Sequence, residues 1–445
     1  MTSRPDIPPG PYLVVGLARS GQAAALALRE RGERVIGWDS GRPVGVESLA
    51  GVGVELHLGE GDGVPLLGQV ASVVKSPGVP RDVSVIERAL MAGLTVVGEL
   101  ELAWRMLPNE FVAVTGTNGK TTTVELIGHI HRVAGLPVAV AGNVGAALSG
   151  FVGALDPAAT VACEASSFQL EDAIDFAPEV AVLLNIAPDH LDRHGTLAAY
   201  TQAKLRIFAE QRADDVAVLP FGLDVGSIPG VARRVSFGEG ADVELAVVEG
   251  VLYWQGAPLL HAREIGIPGR HNLENAMAAA AACLARGVDP AAVSEGLRTF
   301  PGVAHRLEAV AELAGVRYIN DSKATNVTSA LVGVKASAGQ TAHIHLILGG
   351  LDKGQDFTPL AVAVASSCRA VYLIGQDAGS IAQALAGVDV PVNECGTLER
   401  ALELAAGAAR SGDVVLLSPA CASFDQFVDY EARGDRFKEL VAGLG

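Results

Sequence analysis

Lys120 and Thr121 close a turn, Thr115-Gly116-Thr117-Asn118-Gly119-Lys120-Thr121, whose residue types suit it to hold phosphate. Gly116 and Gly119 allow the backbone to come close to phosphate oxygens and aim its N–H groups at them. Lys120 can reach the outer phosphates of a triphosphate, and the Thr121 hydroxyl can ligate Mg²⁺. Val114 stands where the first glycine of the usual P-loop pattern would be. The reading therefore leans on context: the apolar run Phe111–Val114 predicts a strand before the turn, and a helical pattern to about Ala134 follows it. The alternative is a plain strand-to-helix turn.

Further polar groups stand where apolar runs stop. Pro137–Ala141 runs into Gly142-Asn143-Val144-Gly145, and Val161–Cys163 into Glu164-Ala165-Ser166-Ser167. Val180–Ile186 predicts a strand whose end carries Asn185, followed by Asp189-His190-Leu191-Asp192. Repeated strand–helix spacing predicts a mainly parallel sheet with these ends on one rim. There Glu164 is either a Mg²⁺ ligand beside Thr121 or a buried carboxylate paired with an arginine. His190 is either a structural histidine or part of a site with its acidic neighbours. A helix is predicted from Leu197 to Gln211, with Leu197, Tyr200, Ala203, Ile207 and Phe208 on one apolar face. Lys204 falls in the middle of that face. A buried ammonium is costly, so either it pairs with a carboxylate or its chemistry is altered. Asn272 and Asn275 share a face of an alanine-rich helix and either read a base edge or cap the helix.

Two more α/β units flank this one. In the first, strands at Tyr12–Val15 and Arg34–Trp38 enclose Gly16-Leu17-Ala18-Arg19-Ser20-Gly21, and Asp39 ends the second strand. With alanine at its middle glycine position the loop is a weak dinucleotide fingerprint, and the diphosphate of another nucleotide suits it better. A dinucleotide-dependent oxidoreductase and a non-catalytic nucleotide switch are the competing readings. A strand at Val70–Val74 leads into the turn Lys75-Ser76-Pro77-Gly78. In the last unit, strands end at Asn320-Asp321-Ser322-Lys323-Ala324-Thr325-Asn326, at Gly349-Gly350-Leu351-Asp352-Lys353 and at Ser418–Asp425. It reads as a third domain closing over a ligand held by the second.

Composition limits the function classes. A chain of 445 residues is too long for a single core. A net charge of −17 argues against a general nucleic-acid binder and requires local basic residues for any phosphate ligand. No apolar run is long enough for a membrane span, and Met1–Pro11 holds no signal-peptide core. Five scattered cysteines read as buried thiols in a reducing cytoplasm. Arginines outnumber lysines 26 to 7, so a lysine marks a place where a compact or modifiable amine is needed.

The ordered series TGTNGKTT, GNVG, EASSFQLE, APDHLDRHG, GRHNLENA, AHRLE, NDSKATN, LGGLDKG and SPACASFDQF spans nearly the whole chain and resembles the Mur ligase family. These are ATP-dependent amide-forming enzymes of peptidoglycan precursor synthesis. SSFQLE, NDSKATN and SPACASFDQF resemble the branch that adds D-glutamate to UDP-N-acetylmuramoyl-L-alanine. The resemblance implies an α/β fold of three domains: a Rossmann-like domain over 1–98, a P-loop ATPase-like domain over 99–302 and a Rossmann-like domain over 303–445. It implies that Gly116, Thr117, Asn118, Gly119, Lys120, Thr121, Thr122 and Thr123 hold the phosphates of ATP, that Asn272, Asn275, Arg306 and Asp321 hold adenine and ribose, and that Lys323 sits near the phosphates. Thr121 and Glu164 would bind one Mg²⁺, and His190 with a carbamylated Lys204 a second. Lys120, His190 and Lys204 would be catalytic. Arg19, Ser20, Asp39, Ser40, Ser76, Asn143 and Ser166 would hold the UDP-sugar. Thr325, Lys353, Ser423, Phe424 and Tyr430 would surround D-glutamate. A cytoplasmic monomer is expected.

Overall fold

The computed structural model describes residues 4–142, 146–240, 242–338, 343–352 and 354–444, with the backbone alone at Asp192. Asn143 and Lys353, both expected at substrates, lie outside the described residues. The chain forms two compact units, 1–300 and 301–445. The first holds two sheets and the second one.

Five parallel strands make the first sheet, in the order Glu55–Leu58, Val35–Asp39, Tyr12–Val15, Ser72–Lys75 and Thr95–Gly98. The inner strands are covered on both faces, so they read as unbroken apolar runs. Helix Arg19–Glu30 follows the loop after Tyr12–Val15. A Cβ on Gly21 would lie 1.8 Å from the Gly16 carbonyl oxygen and 2.7 Å from Ser76 Oγ. The last glycine of this loop is thus the one that lets the helix sit tightly on the sheet.

The nine-stranded sheet is parallel from Val138–Gly142 through Thr160–Glu164, Phe111–Thr115, Val180–Leu183, Val216–Pro220 and Arg233–Glu239 to Leu245–Val248. Two antiparallel strands, Val251–Trp254 and Ala257–His261, extend its edge. Phe111, Phe176 and Trp104 meet edge to face beneath it, with Phe176 5.7 Å from Trp104 and 6.3 Å from Phe111 between centroids. Helix Arg270–Ala285 packs on helix Lys120–Val133, and Ala276 and Ala278–Ala282 are fully buried. Small side chains allow that close approach.

Three expected elements differ in extent. The strand expected over Val180–Ile186 stops at Leu183, because the next residues leave the sheet to brace the phosphate turn: Thr117 N donates to Asn185 O. The helix expected from Leu197 to Gln211 is α-helical only to Leu205 and then tightens to a 3-10 turn, Arg206–Phe208. Leu197, placed on its apolar face, is exposed, whereas Tyr200, Ala203, Ile207 and Phe208 are buried. The alanine-rich helix, expected over 276–286, starts earlier, at Arg270, because Gly269 at φ +104° caps it.

The second unit carries the order Glu308–Leu313, Val316–Asn320, Val414–Leu417, Ile344–Gly349, Cys368–Ile374 and Val392–Gly396, with only the first strand antiparallel. No helix among the described residues is long and apolar enough to cross a membrane.

The contact at Gly21 gives a direct test of the first sheet's packing. Gly21→Ala should lower stability by about 2–3 kcal/mol in denaturant unfolding; an unchanged midpoint would contradict this helix placement.

Candidate functional site

The phosphate turn is held by the strand ends beside it. Gly119 takes φ +88° and caps helix Lys120–Val133. A Cβ there would lie 2.1 Å from Asn275 Oδ1, so glycine admits the Asn275 side chain against the turn. Asn118 N donates to Asn185 Oδ1 at 2.9 Å, and Asn185 Nδ2 donates back to Asn118 O at 3.1 Å. Thr117 Oγ1 lies 3.2 Å from the Tyr200 hydroxyl and accepts from Ala187 N at 3.0 Å. The loop after Val180–Leu183 and the helix that starts at Leu197 therefore fix the turn's shape.

Four of the expected residues converge here. Thr121 Oγ1 donates to Glu164 Oε2 at 2.7 Å, across the ends of neighbouring strands. Lys120 Nζ donates to Gly116 O at 3.0 Å and Thr117 O at 2.9 Å. Lys204 Nζ donates to the same Gly116 O at 2.8 Å and lies 4.6 Å from the Tyr200 ring centre. Lys204 is 1% exposed, and among the described residues no carboxylate lies within ion-pair distance of it. Burial, and then the neighbouring Lys120, bring its pKa down to about 7, with Asp189 and Glu164 opposing. Holding it charged costs about 5 kcal/mol at that shift. Of the two alternatives open in the sequence, pairing with a carboxylate is not what is found.

His190 connects to Tyr200 through two intervening rings. It takes a left-handed backbone (φ 49°) and is half exposed, with Asp189 Oδ2 3.6 Å from Nε2. Its ring sits 4.8 Å from Phe168, which stacks on His194 at 5.5 Å, and His194 meets Tyr200 at 5.3 Å. Among the described residues no three His, Cys, Asp or Glu side chains form a metal cluster by themselves. Asn275 Nδ2 lies 3.4 Å from Asn272 Oδ1, and Asn272 Nδ2 donates to Pro268 O. Neither asparagine caps the helix.

The residues expected at the UDP-sugar lie at strand ends of the same unit. Asp39 accepts from Leu17 N at 2.7 Å and Gly41 N at 2.8 Å, so it shapes the first loop. Arg19 and Ser40 are exposed and Ser20 is half-buried. Ser76 Oγ donates to Gly16 O at 2.6 Å. Ser166 caps helix Ser167–Glu171 in a reciprocal box with Gln169.

In the second unit, Asp321 accepts from Ser418 Oγ at 2.7 Å and Leu307 N at 3.2 Å. Arg306 is exposed between His305 and Leu307, both left-handed. Lys323 Nζ lies 5.9 Å from the Tyr430 ring centre. Ser423 is buried, Thr325 half-buried and Phe424 exposed. The sequence reading missed Arg433, which is 1% exposed. Its guanidinium donates to Ser322 Oγ at 3.0 Å, Ser322 O at 2.9 Å and Cys421 O at 3.1 Å, tying the loop at 322 to the loop at 421. The available signal was its position one helical turn after Tyr430, on the same face.

A triphosphate-shaped turn and a hydroxyl–carboxylate pair on a layered α/β frame define a nucleotide-dependent enzyme. The comparisons with known proteins make this definite. Residues 114–283 match the model of the Mur ligase middle domain, and 305–421 that of the Mur ligase, glutamate ligase domain. A UDP-N-acetylmuramoylalanine--D-glutamate ligase of Pelotomaculum thermopropionicum is 45% identical, over 97% of this chain and 97% of the relative. One of Acidobacterium capsulatum is 43% identical, over 96% and 95%. The chain belongs to the Mur ligase family, ATP-dependent ligases that form amide bonds. The fold agrees with that of UDP-N-acetylmuramate-alanine ligase MurC from Thermotoga maritima (TM-score 0.60, 19% identity, 98% and 100% covered). It also agrees with MurF ligase from the same organism, solved with ADP (TM-score 0.54, 18% identity, 84% and 96% covered).

Asp321 gives a pH test. Burial raises its pKa to about 6 from an ordinary 3.8, against the Ser418 and Leu307 hydrogen bonds. The folded chain therefore holds this proton more tightly than the unfolded chain. Its cost is absent below about pH 4 and complete above pH 6, at about 3 kcal/mol. Relative to Asp321→Asn, the native chain should lose that much stability between pH 4 and 7 in urea titrations. Parallel pH profiles would refute the shift.

Proposed function

We propose that this chain joins D-glutamate to UDP-N-acetylmuramoyl-L-alanine at the expense of ATP, in the cytoplasm and as a monomer, with domains over 1–98, 99–302 and 303–445. The near full-length match to ligases named for this reaction carries the reading. The γ-phosphoryl group passes to the L-alanyl carboxylate and ADP leaves. The D-glutamate amine then attacks the acyl phosphate carbon, loses a proton, and expels phosphate to leave the amide.

Residues 116–123 are assigned to the phosphates. Lys120 already points to the turn's carbonyls, so it needs only to exchange them for phosphate oxygens. Its charge opposes the negative charge that develops during transfer. Asn272, Asn275, Arg306 and Asp321 are assigned to adenine and ribose, and Lys323 to the neighbourhood of the phosphates. Arg19, Ser20, Asp39, Ser40, Ser76, Asn143 and Ser166 go to the sugar nucleotide, and Thr325, Lys353, Ser423, Phe424 and Tyr430 to D-glutamate.

The Thr121–Glu164 pair suits Mg²⁺, a hard cation that takes a hydroxyl and one or two carboxylates and completes its shell with phosphate oxygens and water. A bound Mg²⁺ would supply positive charge to the phosphoryl oxygens. For a second ion, His190 offers a nitrogen, while an ammonium at Lys204 would repel it. A carbamate would reverse that sign. With its pKa near 7, Lys204 has a substantial neutral fraction whose nitrogen can attack carbon dioxide, forming an N–C bond and releasing a proton.

ADP release should require UDP-N-acetylmuramoyl-L-alanine and D-glutamate together; equal turnover with L-glutamate or a diamino acid would defeat the assignment. For the carbamate, ¹³C-bicarbonate should label the native chain with a carbamate NMR signal that Lys204→Met abolishes. A native chain without that signal would leave the amine unmodified.

A further inference from the structure

Lys75 has no role in the scheme above, yet it is completely buried at the end of strand Ser72–Lys75. Its Nζ lies 2.8 Å from Asp172 Oδ2, and Arg81 Nε lies 3.0 Å from the other oxygen of that carboxylate. Lys75 Nζ also donates to Val79 O at 2.7 Å. This second bond is what gives the pair a direction.

Residues Ser76 to Val79 form a tight turn, with Val79 N donating to Ser76 O at 3.0 Å. The turn is sewn to the first loop by Ser76 N to Val15 O at 3.0 Å and Ser76 Oγ to Gly16 O at 2.6 Å. It is packed closely there, since a Cβ on Gly16 would lie 2.5 Å from Val79 Cγ2. All of these bonds stay within the first sheet and its loops. Lys75 carries the turn outward, to Asp172 beside the nine-stranded layer, where Arg81 just beyond the turn joins it.

Asp172 directly follows helix Ser167–Glu171, whose cap is Ser166. That helix has five residues, a rise of about 7.5 Å, too short to bend or slide along its length. Arg193 also holds it, 3.4 Å from Glu171 and 4.0 Å above the Phe168 ring. The buried Lys75–Asp172 pair, with Arg81 on the same carboxylate, therefore ties the Ser76 turn to the helix that Ser166 caps. Stability alone does not call for a lysine here, because buried ion pairs are commonly replaced by apolar residues of similar size without loss.

We propose that Lys75 and Asp172 are positioning residues for the sugar nucleotide: they touch no substrate, and act by fixing the Ser76 turn against the Ser166 cap across two sheets. This rests on the assignment of Ser76 and Ser166 to the UDP-sugar. The test compares the native chain with Lys75→Met and with the apolar pair Lys75→Met/Asp172→Leu, which keeps the interior filled without the bond to Val79. Both variants should raise KM for UDP-N-acetylmuramoyl-L-alanine by about tenfold or more, and leave KM for ATP and D-glutamate within about threefold. Calorimetric titration with UDP-N-acetylmuramoyl-L-alanine alone should show the same weakening. If the folded double variant keeps native affinity for the sugar nucleotide, or if all three KM values rise together, the positioning role is overturned. A native chain that binds no UDP-N-acetylmuramoyl-L-alanine would overturn the functional reading instead, and the positioning role with it.

Discussion

Two ammonium groups on one carbonyl oxygen are the constraint from which the central site follows. Lys120 and Lys204 reach Gly116 O from a helix start and from the last turn of another helix. Neither approach works unless the turn is rigid, and Asn185, Ala187 and Tyr200 supply that rigidity. The chain as a whole is strongly acidic, so positive charge gathered at this point is a local exception to its mean field. Two ammonium charges so close are costly, and the strain falls on Lys204, whose charged form is disfavoured by burial and then by Lys120.

The sheets serve this constraint through a single habit of construction. Strands buried on both faces can carry polar residues only where they end, and parallel strands end on the same side. Thr121 and Glu164 meet because Phe111–Thr115 and Thr160–Glu164 are neighbours in register. Val180–Leu183 pairs with the other side of Phe111–Thr115, which brings Asn185 under the turn. Chemistry and packing are thus separated along each strand rather than between strands.

Much of this was legible in residue order. The phosphate turn and the Glu164 strand end follow from local patterns that the packed chain preserves. Lys204 was legible as an anomaly by its place among Tyr200, Ala203, Ile207 and Phe208, although Leu197 on the same stripe proved exposed. The early end of the strand at Leu183 was not legible, since an apolar run continues through Leu184 and Ile186 while the backbone turns away to satisfy Thr117. Lys75 and Arg433 were out of reach for a different reason. Their partners are 97 and about 111 positions away, and only the sheet order brings them together. No periodicity encodes that.

Arg433 carries one more consequence. Its guanidinium is sealed among neutral acceptors, three peptide carbonyls and a serine hydroxyl, with no carboxylate at ion-pair distance among the described residues. Burial lowers its pKa to about 10, so it remains a cation at neutral pH. One cation thus serves the loops at 322 and 421 together, so neither can move without breaking a bond that steadies the other.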